Sequence, residues 1–243
     1  MRADYPAPEH TEALRRLWKE AFGDSDAFLD GFWDTAFAFD RCRCIMIDGE
    51  AAAALYWLDC RCDGAPMAYI YAVATAKKHR GKGLCRLLMA DTHAHLKNLG
   101  YAGCILVPGD EGLSAMYGKM GYTPFGGMDT VTCTAGTPIA MRKVTAEEYG
   151  ALRKAYLPEH GVWQEGLPFL ATYAALYAGA DFICAWVDDL GLELLGNADA
   201  APGILGTLGK ETGKFRISGA TPFAMFCPLS PTPAPGYFGI AFD

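Results

Sequence analysis

What the chain lacks narrows its function first. No run approaches the roughly 18 uninterrupted apolar residues of a membrane-spanning helix, and the N-terminus carries no charged-then-apolar leader. Basic residues are in deficit. The 21 Lys and Arg against 28 Asp and Glu leave a net charge of −7, the wrong sign for a nucleic-acid surface, which asks for a basic stripe. Histidine is scarce, five in 243 residues, and only His93 and His95 lie close together. Two positions apart on a helical stretch, they point to different faces and read as ordinary surface residues. Acidic residues are missing from Met67 to Val107 apart from Asp91, so the middle of the chain offers almost no carboxylate for acid–base chemistry. These absences predict a cytoplasmic protein with neither a membrane nor a nucleic-acid partner.

Cysteine, by contrast, is present nine times, and Cys42-x-Cys44 with Cys60-x-Cys62 invites a zinc reading. The intervening residues argue against it. Asp48-Gly49 is a favoured two-residue hairpin turn, which sets Cys44 opposite about Ala53 and Cys42 opposite about Leu55. Cys60 then lies five residues further on, roughly 17 Å away at strand rise, too far for four sulfurs around one ion. No metal is expected, and the thiols read as reduced and mostly buried. With 51% hydrophobic residues the chain can build one or two real cores.

The most informative segment runs from Ala72 to Cys85. It joins a strand-like stretch, Ala68 to Thr75, to a helix-like one, Leu84 to Asn98, through two glycines and a cluster of basic side chains. Such a turn holds phosphate: glycine lets the backbone approach an anion, successive N–H groups form a nest, and the helix N-terminus adds partial positive charge. Arg80 and Lys82 can add charge-assisted contacts. A mononucleotide P-loop and a dinucleotide fingerprint both fail on spacing, because Arg86 occupies the third glycine position. What fits is Arg-x-x-Gly-x-small, carried by Arg80, Gly83 and Cys85.

Here the chain resembles the GNAT superfamily of N-acetyltransferases, whose pyrophosphate loop is Arg/Gln-x-x-Gly-x-Gly/Ala. Cys85 departs from Gly/Ala, and Lys77 stands where many members have proline. The upstream Ala-Val-Ala-Thr resembles the family strand that pairs with the pantetheine arm of coenzyme A. A second signature follows 37 residues after Arg80. Past the apolar strand Gly103 to Val107, a short helix from Glu111 to Met120 ends in Tyr117-Gly118-Lys119-Met120-Gly121-Tyr122, similar to the family's Tyr-x-x-x-Gly-Phe/Tyr. The first third fits the same order. Two helical stretches, Pro8 to Phe22 and Ser25 to Phe37, precede the meander Cys44 to Ile47, Ala51 to Leu58 and Ala68 to Thr75.

The resemblance implies an α/β (α+β) protein with the GNAT fold, a mixed and mostly antiparallel central sheet flanked by helices, over residues 1–135. It implies acetyl-CoA as co-substrate and a primary amine, on a small molecule or a peptide, as acceptor, attacked directly in a ternary complex. Coenzyme A contacts are expected from Val73, Ala74, Thr75, Arg80, Gly81, Lys82, Gly83, Leu84, Cys85, Ser114 and Tyr117. Ala74 or a neighbour would give the oxyanion its backbone N–H, and Tyr117 would be the catalytic donor to the leaving thiolate. The competing reading of Tyr117 is a core residue, since Leu113, Met116, Tyr117 and Met120 share one helix face. The general base stays open among Glu50, Asp59, Glu111, Asp129, a wired water and the terminal carboxylate of Asp243. Trp18, Phe32, Trp33, Trp57 and Tyr71 could line an acceptor pocket or simply form core.

Residues 136–243 read as a second, smaller α/β domain. Thr145 caps a helix to Tyr156 with Glu148 closing the box, and Pro168 to Tyr177 reads as another helix. Strands are expected at Phe182 to Val187, Leu192 to Leu195, Phe215 to Ser218, Phe223 to Phe226 and Tyr237 to Phe242, with a helix from Ala200 to Lys210. The order is similar to a degenerate GNAT-like half without the Arg-x-x-Gly loop, as in tandem proteins of the enhanced-intracellular-survival type. Besides an N-acetyltransferase, the residues admit a catalytically silent acyl-CoA sensor or a protein-interaction module.

Overall fold

A computed structural model describes residues 2–242, and contacts divide the chain into two compact units. Of the described residues, the first holds 2–60, 64–123 and 226–233; the second holds 61–63, 124–225 and 234–242.

The first unit opens with α1 (Thr11–Phe22) and α2 (Asp26–Thr35). Ser25 starts α2 by accepting from the Phe28 N–H, and Gly23 stops α1 in the left-handed region that a residue without Cβ adopts cheaply. Strands β1 (Cys42–Ile47), β2 (Glu50–Cys62), β3 (Ala65–Thr75) and β4 (Gly103–Leu106) lie in that order, followed by the last residues of a long C-terminal strand. Asp48 and Gly49 both have positive φ, as a twist-compatible hairpin turn requires. The pairing is nevertheless offset from the expected one: Cys44 faces Ala54 and Cys42 faces Tyr56, because a bulge between Ile45 and Met46 adds a residue on the β2 side. β3 and β4 run parallel from Met67↔Gly103 to Tyr69↔Ile105. Helix α3 (Leu84–Asn98) packs against β1 and β3, and α4 (Glu111–Gly118) is capped by Asp110, which accepts from the Leu113 N–H at 2.7 Å.

In the second unit β5 (Thr123–Thr134) pairs with the long strand β11 (Thr212–Pro228). Outward from β11 follow β10 (Leu190–Gly196), β9 (Phe182–Val187), β8 (Ala175–Ala178) and the two-residue β6 (Arg142–Lys143). β10 and β11 run parallel, and the pairs β10–β9, β9–β8 and β8–β6 antiparallel. Helix α5 (Ala146–Tyr156) packs on α6 (Leu167–Tyr173), with the short β7 (Trp163–Gln164) between them in sequence. Helix α7 (Ala201–Leu208) buries Ile204 and Leu205 among Phe182, Trp186, Leu194 and Phe215.

Three sequence expectations fail in this half. The helix expected to reach Tyr177 ends at Tyr173; Ala174 turns extended, and the alternating burial of Leu176 and Ala178 makes the remainder β8. The strands expected at Phe215 to Ser218 and Phe223 to Phe226 are one continuous strand. Tyr237 to Phe242 is buried but is no strand: Gly239 sits at φ 85°, backbone pairing stops at a single bridge where Tyr237 accepts from the Val162 N–H, and side chains take two of the later carbonyls. Arg153 donates to the Phe238 carbonyl at 2.9 Å and Gln164 to that of Ile240 at 2.7 Å. Arg153 itself is fully buried with Glu193, whose carboxylate also accepts from Tyr149 and Tyr237.

Candidate active site

β3 outlasts β4. Its ladder with β4 ends at Tyr69, yet it continues to Thr75, leaving Tyr71 to Thr75 without a β4 partner. Midway, Ala72 adopts φ 48°, a left-handed conformation that costs a residue with a Cβ roughly 1–2 kcal/mol. The side-chain alternation along β3 therefore breaks there. Val73, Ala74 and Thr75 all line a cavity of about 620 Å³, a volume in the range of small-ligand sites.

The far wall of that cavity is the glycine turn. Gly81 and Gly83 have φ 74° and 78°, and a Cβ on either would meet nothing within 4 Å, so their backbone is open to an approaching ligand. Gly83 is the N-cap of α3, whose first N–H groups have no partner within the helix. The Arg80 Nε donates to the Thr75 carbonyl at 3.1 Å, tying the guanidinium to the strand end while leaving the side chain exposed. Anion capacity and an unpaired strand edge thus meet in one cavity, which fits a phosphate-bearing ligand with a peptide-like arm.

Helix α4 closes the cavity with Leu113, Met116 and Tyr117, and Met120 joins them from the turn that follows, since the helix ends at Gly118 and not at Met120; the shared face foreseen from spacing turns to the cavity. Tyr117 is 6% exposed, and its hydroxyl makes no hydrogen bond to any described residue. Burial, with Cys85 beside it, pushes its phenol well above the ordinary value. Cys85 occupies the second position of α3, half-buried, its thiol raised by burial.

Of the expected contacts, Val73, Ala74, Thr75, Arg80, Gly81, Gly83, Leu84, Cys85 and Tyr117 share this cavity. Lys82 and Ser114 do not line it. Lys82 is exposed with its Nζ near His79 Nδ1, and the Ser114 hydroxyl bonds back to the Asp110 carbonyl. Sequence reasoning missed Phe22, His79, Arg86 and Asp110, which line the same cavity; no motif marks them, because tertiary packing brings them there.

No candidate carboxylate reaches this cavity. Glu50 pairs with Lys78, and Asp59 takes Arg41 and Tyr101. Glu111 is exposed in the first turn of α4, Asp129 is held by Thr221 at 2.7 Å, and Asp243 lies outside the described residues. Trp18, Phe32 and Trp57 are buried core, while Trp33 and Tyr71 are half-buried. His93 corrects the surface reading: it bonds the Tyr122 hydroxyl at 2.8 Å, and burial lowers it to about 4. His95 bonds Tyr5. All nine cysteines are free; Cys60 and Cys62 donate to the Met67 and His160 carbonyls, and among the described residues no side-chain cluster suits a metal ion. No described helix is long and apolar enough to cross a membrane.

Comparison with known proteins gives a family and a fold. A family profile described as an acetyltransferase (GNAT) domain matches residues 3–125. A GCN5-related N-acetyltransferase from Kribbella flavida superposes with a TM-score of 0.69 at 18% identity, covering 93% of this chain and 70% of its own. A probable N-acyltransferase from Enterococcus faecalis gives 0.69 at 16% identity, with 94% and 72% covered. Eis1 from Mycobacterium abscessus gives 0.67 at 11% identity, with 94% and 74% covered. At these identities the likeness shows the fold. No curated protein sequence matches the chain.

Proposed function

The chain belongs to the GNAT acetyltransferase family and is therefore an acyltransferase, and from the cavity we propose that it acetylates a primary amine from acetyl-CoA in a ternary complex. The observation that carries this reading is the coincidence, in one cavity, of the strand edge freed beyond Tyr69, the Gly81–Gly83 turn and a Tyr117 hydroxyl with no hydrogen bond among the described residues. Residues 1–135 are the catalytic domain in this proposal, and residues 136–243 a GNAT-like half that holds no coenzyme A.

The co-substrate brings an activated thioester; everything else falls to the chain. Gly81, Gly83 and the α3 N-terminus bind pyrophosphate through backbone N–H groups, and Arg80 adds charge. Val73 and Thr75 hold the pantetheine arm by main-chain pairing, the interaction β4 leaves open. The Ala74 N–H faces the charge that develops on the carbonyl oxygen. Tyr117 acts on the leaving sulfur by keeping its proton. Its phenol, raised further by burial, is a weaker acid than a thiol, so donating a hydrogen bond to the thiolate is favoured over full transfer. The acceptor ammonium must lose a proton before attack. Asp110, the carboxylate on the cavity lining, is engaged in capping the Leu113 N–H of α4, so water wired to a backbone carbonyl is the base this geometry favours.

The lack of an uncommitted carboxylate at the cavity also supports a second reading, an acyl-CoA sensor without turnover. Calorimetric titration with acetyl-CoA, followed by thiol release against a panel of amines, separates them. Binding with release establishes the transferase and its acceptor class. Binding without release across peptide and small-molecule amines favours the sensor, and no binding refutes the loop assignment.

A further inference from the structure

The second unit carries a cavity of its own, about 650 Å³, which shares no residue with the one described above. One face of α5 forms its floor, where Gly150 and Ala151 leave room that larger side chains would fill. Leu167 and Pro168 from α6 and the half-buried ring of Trp163 make the walls apolar. The size suits a small molecule of one or two residues rather than a folded partner.

Two features give the cavity a chemical preference. Arg61 and Lys154 stand on its lining with Glu147 and Glu165, two charges of each sign, and none of the four forms an ion pair or hydrogen bond through its side chain among the described residues. Other charges of this unit do pair. Glu148, next to Glu147, takes Arg142, and Lys210 takes Asp189. A lining that sums to zero selects against nucleotides and polyamines, whose charge is all of one sign. It suits a ligand that presents a cation and an anion together.

The other feature is Gln164, 2% exposed on the same lining. Its Nε2 donates to the Ile240 carbonyl at 2.7 Å. That acceptor fixes which end of the amide is nitrogen, and it leaves Oε1 buried with no partner among the described residues. A buried acceptor without a donor is unfavourable, and because Oε1 is closed to solvent, only a shift of the Gln164 side chain would open it to a ligand N–H.

We infer that this cavity is a binding site for an apolar zwitterion, an aliphatic dipeptide with free ends being the best match. Its ammonium meets Glu147 and Glu165, its carboxylate meets Arg61 and Lys154, and its side chains lie on Leu167 and Trp163. The site does not depend on the proposed acetyl transfer.

Calorimetry of the full chain without acetyl-CoA tests it, using leucyl-leucine as the probe. N-acetyl-leucyl-leucine amide, which has the same body without either charge, is the control. The inference expects saturable binding of leucyl-leucine, at least tenfold weaker binding of the capped form, and at least tenfold loss in Ala151→Trp, which fills the floor from an exposed helix position. Ala151→Trp should keep the wild-type melting temperature and acetyl-CoA affinity. No binding of leucyl-leucine, equal binding of the capped form, or unchanged binding in a folded Ala151→Trp overturns the inference. Acetyl-CoA binding, read separately, reports on the active site alone.

Discussion

Replacing Tyr117 with Phe removes one oxygen from a site whose surroundings predict its effect. The hydroxyl makes no hydrogen bond to a described residue, so its loss strands no partner, and the ring keeps its edge-on packing on Tyr122 at 5.8 Å. Stability should therefore change by less than about 0.5 kcal/mol, the usual range where no packing or bonding is lost. The chemical step should change far more. A hydrogen bond to a charged partner contributes about 1.5–3 kcal/mol, and each 1.4 kcal/mol is tenfold in rate, which gives a fall in kcat of roughly 10- to 150-fold. Because the bond strengthens only as negative charge grows on sulfur, acetyl-CoA affinity should hold within about twofold. Thiol release at saturating acceptor, calorimetry with acetyl-CoA and a thermal melt measure the three quantities. An unchanged rate, or a large drop in melting temperature at full rate, returns Tyr117 to the core and refutes the reasoning.

Other expectations follow from neighbouring observations. Gly83→Glu places a side chain and a negative charge at the α3 N-cap, and should abolish acetyl-CoA binding by calorimetry; wild-type affinity would sink the loop assignment. Arg80→Ala removes an exposed, strand-tied guanidinium, and should weaken acetyl-CoA about five- to tenfold with little change in kcat; the reverse split would take Arg80 out of ground-state binding. His93, lowered by burial to about 4, stays neutral when folded while the unfolded chain takes up a proton near 6.5. Stability should thus fall by about 2 kcal/mol from pH 7 to pH 5 through this group, and His93→Gln should flatten that slope in melts across the range. Arg153→Met leaves the Glu193 carboxylate buried without its cation, and should cost about 3–5 kcal/mol in denaturant unfolding; the double variant Arg153→Met, Glu193→Leu should recover much of that loss.

Local chemistry settled a good deal of this protein from its residues alone. The bounds of α3 from Leu84 to Asn98, the Asp48-Gly49 turn and the Thr145 cap all depend on contacts within a few positions, which a sequence displays directly. The Arg80 to Cys85 turn belongs with them, since positive φ and free N–H groups are properties of the segment itself. So does the shared face of Leu113, Met116, Tyr117 and Met120, which helical spacing makes visible. Tertiary structure decided what is long-range. Whether that face turned to core or cavity depended on how far β4 accompanies β3, and Ala72 takes its strained φ only because the surrounding fold holds it. The bulge that shifts Cys44 to Ala54 and the side-chain anchoring of Tyr237 to Phe242 have the same origin. Phe22 and Asp110 join the cavity, and Glu193 finds Arg153 forty residues away, through packing that no periodicity encodes. Hydrogen bonds and φ preferences act between neighbours and are written in order along the chain; burial acts between residues that only the fold brings together.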